Sequence, residues 1–151
     1  MNRTHHALLV EDSADDAELM LAALAEYCDA ERVAIAKDGE EALDYLYRRG
    51  RHAARPAGNP VLILLDIKMP KMDGLEVLRV IKNDPSLKTI PVVMLTSSRE
   101  ERDLTSSYRL GTNGYVVKPL LFGELHAVLK KTAAFWLHVN EPCPEVSEAA
   151  R

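Results

Sequence analysis

Val61-Leu62-Ile63-Leu64-Leu65-Asp66-Ile67-Lys68-Met69-Pro70 holds the most strand-like run in the chain. Its first five residues are apolar without interruption. Five residues are too few for a buried helix and suit a strand covered on both faces. A strand of that kind implies a parallel sheet with helices on either side. The run stops at Asp66, and residues 67–73 read as a loop.

The same unit repeats in both directions from this segment. Upstream, residues 7–10 are apolar and end in Glu11-Asp12. Ser13-Ala14-Asp15-Asp16 then reads as a helix start, with a hydroxyl to cap and an acidic first turn to suit the positive helix end. Leu19, Met20, Ala23, Leu24 and Tyr27 follow at helical spacing. Residues 33–36 are a second short strand, Asp38-Gly39 turns the chain, and Ala42, Leu43, Leu46 and Tyr47 mark a second helix. Downstream of Asp66, a helix near residues 75–81 stops before Pro85. A strand at 92–95 leads to Thr96, and a helix over about 100–110 ends at Gly111. A strand at 115–117 leads to Lys118-Pro119. The last helix begins near Leu121 or Phe122 and carries Leu125, Val128, Leu129, Thr132 and Trp136 on one face.

Five strands alternating with five helices predict a doubly wound α/β fold with right-handed crossovers. The expected strand order is 2-1-3-4-5. The domain is expected to span residues 6–138, with 139–151 as a tail. The connection over residues 50–60 is longer than usual for this kind of unit.

The polar exceptions sit where strands end: Glu11-Asp12, Asp66, Thr96 and Lys118. In open parallel sheets, ligands bind outside those ends at the switch point of strand order. Neighbouring strands lie ~4.8 Å apart, so these side chains can converge on one pocket. Three carboxylates left together would repel each other. A hard divalent cation resolves that repulsion, and Mg²⁺ takes oxygen ligands and commonly shares its site with phosphate. Asp66 is then the candidate nucleophile, because a carboxylate can form an acyl phosphate. Lys118 and the cation would neutralise the transferring phosphoryl group.

Composition narrows the classes. The chain has 151 residues and a net charge of −4, so no global basic field attracts nucleic acid. No run approaches the ~20 apolar residues of a membrane helix. Glu11 and Asp12 interrupt the first apolar run and argue against a signal peptide. The two cysteines, Cys28 and Cys143, make neither a metal motif nor a disulfide framework. A reducing, cytoplasmic setting is expected.

Five segments in order now resemble a known family: Leu8-Leu9-Val10-Glu11-Asp12, Leu64-Leu65-Asp66-Ile67-Lys68-Met69-Pro70, Met72-Asp73-Gly74, Leu95-Thr96-Ser97-Ser98 and Gly114-Tyr115-Val116-Val117-Lys118-Pro119. They are similar to the receiver domains of bacterial two-component response regulators, including the single-domain chemotaxis type. The resemblance implies the flavodoxin-like receiver fold and a phosphorylation switch fed by a sensor histidine kinase. It implies Asp66 as phosphoacceptor, Asp12 and Glu11 as metal-binding acids, and the Lys68 backbone carbonyl as a further ligand of Mg²⁺ or Mn²⁺. Thr96 matches the switch hydroxyl, Lys118 the phosphate-binding lysine, and Tyr115 the aromatic switch. It also implies a cis Lys118–Pro119 bond. The longer loop before the third strand and the final Ala134-Phe135-Trp136-Leu137 resemble regulators paired with bacterial phytochrome kinases, which often dimerise through the C-terminal part. Lys68 and Ser97 depart from the common pattern and bear on the dephosphorylation rate.

Plainer readings stand beside these. Glu11-Asp12 alone could be acids before a helix, and Lys118-Pro119 alone a surface turn. Arg48, Arg49, Arg51, His52 and Arg55 read either as a solvated loop or as a docking patch for an acidic partner. Phe135 and Trp136 either pack on their own domain or centre a dimer. The expected chain is not an enzyme on external substrates. The alternatives are an aspartyl-phosphate phosphatase and a phosphorylation-independent scaffold. Direct DNA binding and membrane association are not expected.

Overall fold

The computed structural model describes residues 6–144. The elements alternate along the chain: β1 (Ala7–Val10), α1 (Ala14–Leu24), β2 (Val33–Ala36), α2 (Gly39–Tyr47), β3 (Leu62–Leu65), α3 (Gly74–Asn83), β4 (Val92–Thr96), α4 (Glu101–Leu110), β5 (Gly114–Val117) and α5 (Phe122–Ala133). Residues Ala134–Val139 continue α5 as a π-helical segment. The five strands form one parallel sheet in the order β2-β1-β3-β4-β5. This is the flavodoxin-like receiver arrangement expected from the sequence.

The strands are apolar on both faces because each face has its own core. Leu8, Val10, Ile63, Leu65 and Met94 point to one side and meet Leu43 and Leu46 of α2 and Val77, Leu78 and Ile81 of α3. Ala7, Leu9, Leu62, Leu64, Val93 and Leu95 point to the other and meet Met20 and Leu24 of α1 and Leu125 and Leu129 of α5. Successive side chains of a strand alternate faces, so an uninterrupted apolar run fills two cores at once.

Three helices start on side-chain caps. Ser13, Asp38 and Asp73 accept from the amides of Asp16, Glu41 and Glu76, at 3.2, 2.8 and 2.9 Å. Asp38 is thus an N-cap and Gly39 the first residue of α2, a sharper role than a turn. α5 has Leu121 at its N-cap position, with no side-chain cap bond.

The loop over residues 50–60 is bound down by its own cations. Arg49 pairs with Asp44 at 2.8 Å, while Arg51 and His52 both reach Glu41, at 3.3 and 3.1 Å. The Arg55 guanidinium donates to the carbonyls of Tyr45, Pro56 and Gly58 at 2.7–3.0 Å and lies over the Tyr45 ring. These pairings hold the basic stretch to its own domain, a more ordered arrangement than the solvated loop read from the sequence. Val61 then donates its amide to His6 O at 2.9 Å, so the loop rejoins the sheet at the amino ends of the strands.

At the C-terminus, Trp136 packs against the α1/α5 core, whereas Phe135 is 46% exposed and Val139 69%. Residue 139, read from the sequence as the start of the tail, is the last residue of the helical segment. Cys143, further on, packs against the α2/α3 core. Residues 145–151 of the expected tail lie outside the described residues.

The cis Lys118–Pro119 bond implied by the resemblance is not found; no peptide bond among the described residues is cis. The two isomers of an Xaa–Pro bond differ by only about 0.5–1 kcal/mol, so motif identity does not dictate which one the chain adopts.

Candidate functional site

Each functional side chain is delivered by the residue that ends a strand or follows it. Val10 and Leu65 are register partners in β1 and β3, so Glu11 and Asp66 leave the sheet side by side. Thr96 closes β4 opposite Val117, and Lys118 follows on β5. Lys118 N donates to Thr96 O at 2.8 Å, which ties that last step to the sheet. Strand β2 contributes nothing here and lies at the edge.

Carboxylate oxygens of Glu11, Asp12 and Asp66 lie within 4.8 Å of one another. Glu11 and Asp66 are buried, at 3% and 8% exposure, while Asp12 is exposed. Lys118 crosses the sheet end to meet them. Its Nζ hydrogen-bonds Glu11 Oε1 and lies 3.4 Å from Asp66 Oδ2 and 3.2 Å from Asp16 Oδ2. Burial pushes the Glu11 carboxyl up to about 7; Lys118 opposes that shift and Asp66 adds to it. Burial pulls the Lys118 ammonium down, but the hydrogen bond to Glu11 and the nearby acids outweigh it and leave lysine above its ordinary value.

Four acids, Glu11, Asp12, Asp66 and Asp16, face one lysine here, so carboxylates outnumber ammonium groups. The raised Glu11 carboxyl reflects its burial first, with the neighbouring Asp66 charge adding a smaller part. An all-oxygen donor set of this charge fits a hard divalent cation, Mg²⁺ or Mn²⁺. Lys68 stands on the rim of the adjoining cleft of about 560 Å³ with its side chain exposed; Asp12, Asp73, Arg102 and Asp103 also line it.

The loop after Asp66 must pass very close to it. A Cβ on Gly74 would lie 2.0 Å from the Asp66 carbonyl oxygen, so glycine here is a packing requirement of the Asp66 backbone. Lys71 in the same loop takes a positive φ of 66°.

Thr96 is fully buried, and its Oγ1 accepts from the Ser98 amide at 3.3 Å. Tyr115 donates its hydroxyl to Ser98 O at 2.9 Å. Both expected switch residues therefore converge on Ser98. Ser98 itself donates to the buried Asp103 of α4 at 2.5 Å, and Ser107 donates to Asp103 O at 2.7 Å. Ser97, singled out in the sequence as a hydroxyl near the phosphate, is exposed.

The structure thus gathers Glu11, Asp12, Asp66 and Lys118 at one point, with Thr96 one strand away and linked through Ser98 to Tyr115. Sequence reasoning missed Asp16 and Asp103. Asp16 read as a helix-start acid, and its spacing of one turn past Glu11-Asp12 was the available signal. Asp103 carried no signal, since it looks like any acid in a first helical turn.

Known proteins resemble this chain in sequence and fold. The response regulator receiver domain family matches residues 7–130. Response regulator Rcp1 of Synechocystis sp. is 41% identical over 130 residues, covering 86% of this chain and 87% of Rcp1. The Mn²⁺-bound form of Rcp1 superposes with a TM-score of 0.84 at 38% identity, over 92% of this chain and 99% of that one. The phosphorylated cyanobacterial phytochrome response regulator RcpA gives 0.85 at 42% identity, over 91% and 98%. The bacteriophytochrome response regulator AtBRR gives 0.70 at 50% identity, over 91% and 98%. With the fold, the acids at the strand ends and a family match over most of its length, the chain belongs to the response regulator receiver family of two-component signalling.

Proposed function

We propose that this chain is a phosphorylation switch in which Asp66 takes a phosphoryl group from the phosphohistidine of a sensor histidine kinase. The convergence of Asp66, two further acids and Lys118 at the strand ends carries this reading. An Asp66 carboxylate oxygen bonds to phosphorus as the bond to the donor nitrogen breaks, giving an acyl phosphate. The carboxylates of Glu11, Asp12 and Asp66 and the Lys68 carbonyl would hold a divalent cation, which would supply charge neutralisation for the phosphoryl oxygens. Lys118 supplies a second positive charge on the opposite flank. Thr96 hydrogen-bonds the bound phosphoryl group, which draws its hydroxyl away from the Ser98 amide. That shift reaches Tyr115 through Ser98, and the surface of α4, β5 and α5 changes its partners.

The receiver unit is residues 6–138, with residues 139–151 following it in sequence; Val139 still closes the helical segment and Cys143 returns to the core. The similarity to RcpA and AtBRR supports a phytochrome-type kinase, and a bacteriophytochrome in particular, as the donor. Phe135 and Val139, exposed one turn apart, support a homodimer formed through the C-terminal half. A net charge of −4 supports output by protein contact and not by DNA binding. Among the described residues no helix is long and apolar enough to cross a membrane; a cytoplasmic location is the setting in which such a kinase would meet it. The chemistry is confined to the chain's own phosphotransfer and dephosphorylation. The 50–60 loop lies at the amino ends of the strands, where it cannot close over the acids as a substrate cap would.

Incubation with acetyl phosphate and Mg²⁺, followed by intact mass and light scattering, tests the proposal. One added phosphoryl group is expected, absent with EDTA and absent in Asp66→Asn. An unchanged gain in Asp66→Asn would refute it.

A further inference from the structure

Asp16 is an acid of this pocket that lies outside the group suited to a divalent cation. It occupies the first turn of α1, where its amide donates to the Ser13 hydroxyl. Its carboxylate reaches across the sheet end to Lys118, 102 residues away in sequence, with Oδ2 3.2 Å from Nζ. An acid present only to meet the positive end of α1 would need no such contact, and Asp15 beside it is exposed and fills that role.

Lys118 therefore touches three carboxylates of unequal kind. Glu11 and Asp66 belong to the cation group, and their side chains are 2% and 10% exposed. Asp16 is 36% exposed, so it stays hydrated while it holds its partner. A divalent cation and an ammonium on the same buried oxygens repel strongly. An ion that binds Glu11 and Asp66 must loosen their hold on Lys118, and Asp16 is the partner that remains.

We infer that Asp16 is a positioning residue that retains the Lys118 ammonium beside the site while Glu11 and Asp66 turn to the cation. This rests on the receiver reading above. It keeps the lysine within reach of Asp66, where the phosphoryl group arrives, and lowers its competition with the ion. Without Asp16, Lys118 falls back on Glu11 and Asp66 and opposes ion binding.

The test is Mn²⁺ affinity of the full chain, from the electron paramagnetic resonance signal of free Mn²⁺, in a four-protein cycle. The proteins are wild type, Asp16→Asn, Lys118→Met and the double variant, each checked for folding by circular dichroism. Asp16→Asn should weaken Mn²⁺ binding about 10-fold when Lys118 is present. In the Lys118→Met background the same change should cost no more than about 2-fold, the residue of one screened charge near a cation. Equal losses in both backgrounds, or no loss in either, overturn the inference. A wild type that binds no Mn²⁺ is a different failure: it removes the receiver reading itself, and this inference with it.

Discussion

The two ends of the sheet handle charge in opposite ways. At the amino ends, the Arg and His side chains of residues 49–55 find local partners: Asp44, Glu41 and the backbone carbonyls around Tyr45. At the carboxyl ends, Glu11, Asp66 and Asp16 share one lysine, and Asp12 adds a further carboxylate beside Glu11 and Asp66. The first region is electrostatically closed and accounts for the stability of a long loop. The second is left open, and the deficit is met only when a cation or a phosphoryl group with its cation arrives. Imbalance that the fold could have relieved and did not is the physical sign of a site.

Removing Lys118 should produce the largest effect. Lys118→Met is expected to slow phosphorylation by acetyl phosphate about 10²–10³-fold, the size of losing one preorganised donor to a transferring group. It should at the same time tighten Mn²⁺ binding, because a competing cation is gone. A stopped-flow rate within about 3-fold of wild type would place the charge neutralisation elsewhere.

At the opposite end, Arg55→Ala should cost about 1–3 kcal/mol of stability, because several carbonyls lose their donor. Arg49→Ala, which breaks an exposed pair, should stay within about 1 kcal/mol. Neither should alter the phosphorylation rate. Urea unfolding and the acetyl phosphate assay together check this, and a slowed rate in either variant would erase the contrast between the two ends.

The pH dependence sharpens the contrast at smaller scale. Glu11 keeps its proton up to about pH 7 in the folded, metal-free chain, against an ordinary value of 4.5. The raised pKa means that the folded state binds more protons, so its contribution is complete below about pH 4.5 and lost as pH rises through 7. Stability of the metal-free protein should therefore fall between about pH 5 and pH 7, on the order of 1 kcal/mol. Saturating Mg²⁺, which binds the ionised acid, should reverse that slope. A flat urea midpoint over this range, or a slope insensitive to Mg²⁺, would assign the site a different charge state.

Much of this was legible in the sequence because each strand is a short apolar run that stops at a polar residue. Ala7–Val10 and Val33–Ala36 read correctly to the residue. The others shifted by one, at Val61, Thr96 and Gly114: Thr96 and Gly114 pair at the sheet margin although composition leaves them ambiguous, whereas apolar Val61 lies just outside the pairing. That Glu11, Asp12, Asp66, Thr96 and Lys118 lie near one another could be read from the sequence because topology alone brings strand ends together. The Asp16–Lys118 pair and the Ser98–Asp103 bond were not found, since both depend on side-chain reach and only the spacing of Asp16 from Glu11-Asp12 hinted at the first. The isomer at Pro119 was misjudged for a related reason: a motif fixes residue types, whereas an energy difference this small is decided by surroundings.

The acceptor can be identified chemically. Borohydride reduces an aspartyl phosphate to homoserine, so phosphorylated protein treated in this way and then digested should show homoserine in place of Asp66, dependent on divalent cation. Reduction at another carboxylate, or an unmodified Asp66 in protein that has gained a phosphoryl group, would contradict its assignment as the phosphoacceptor.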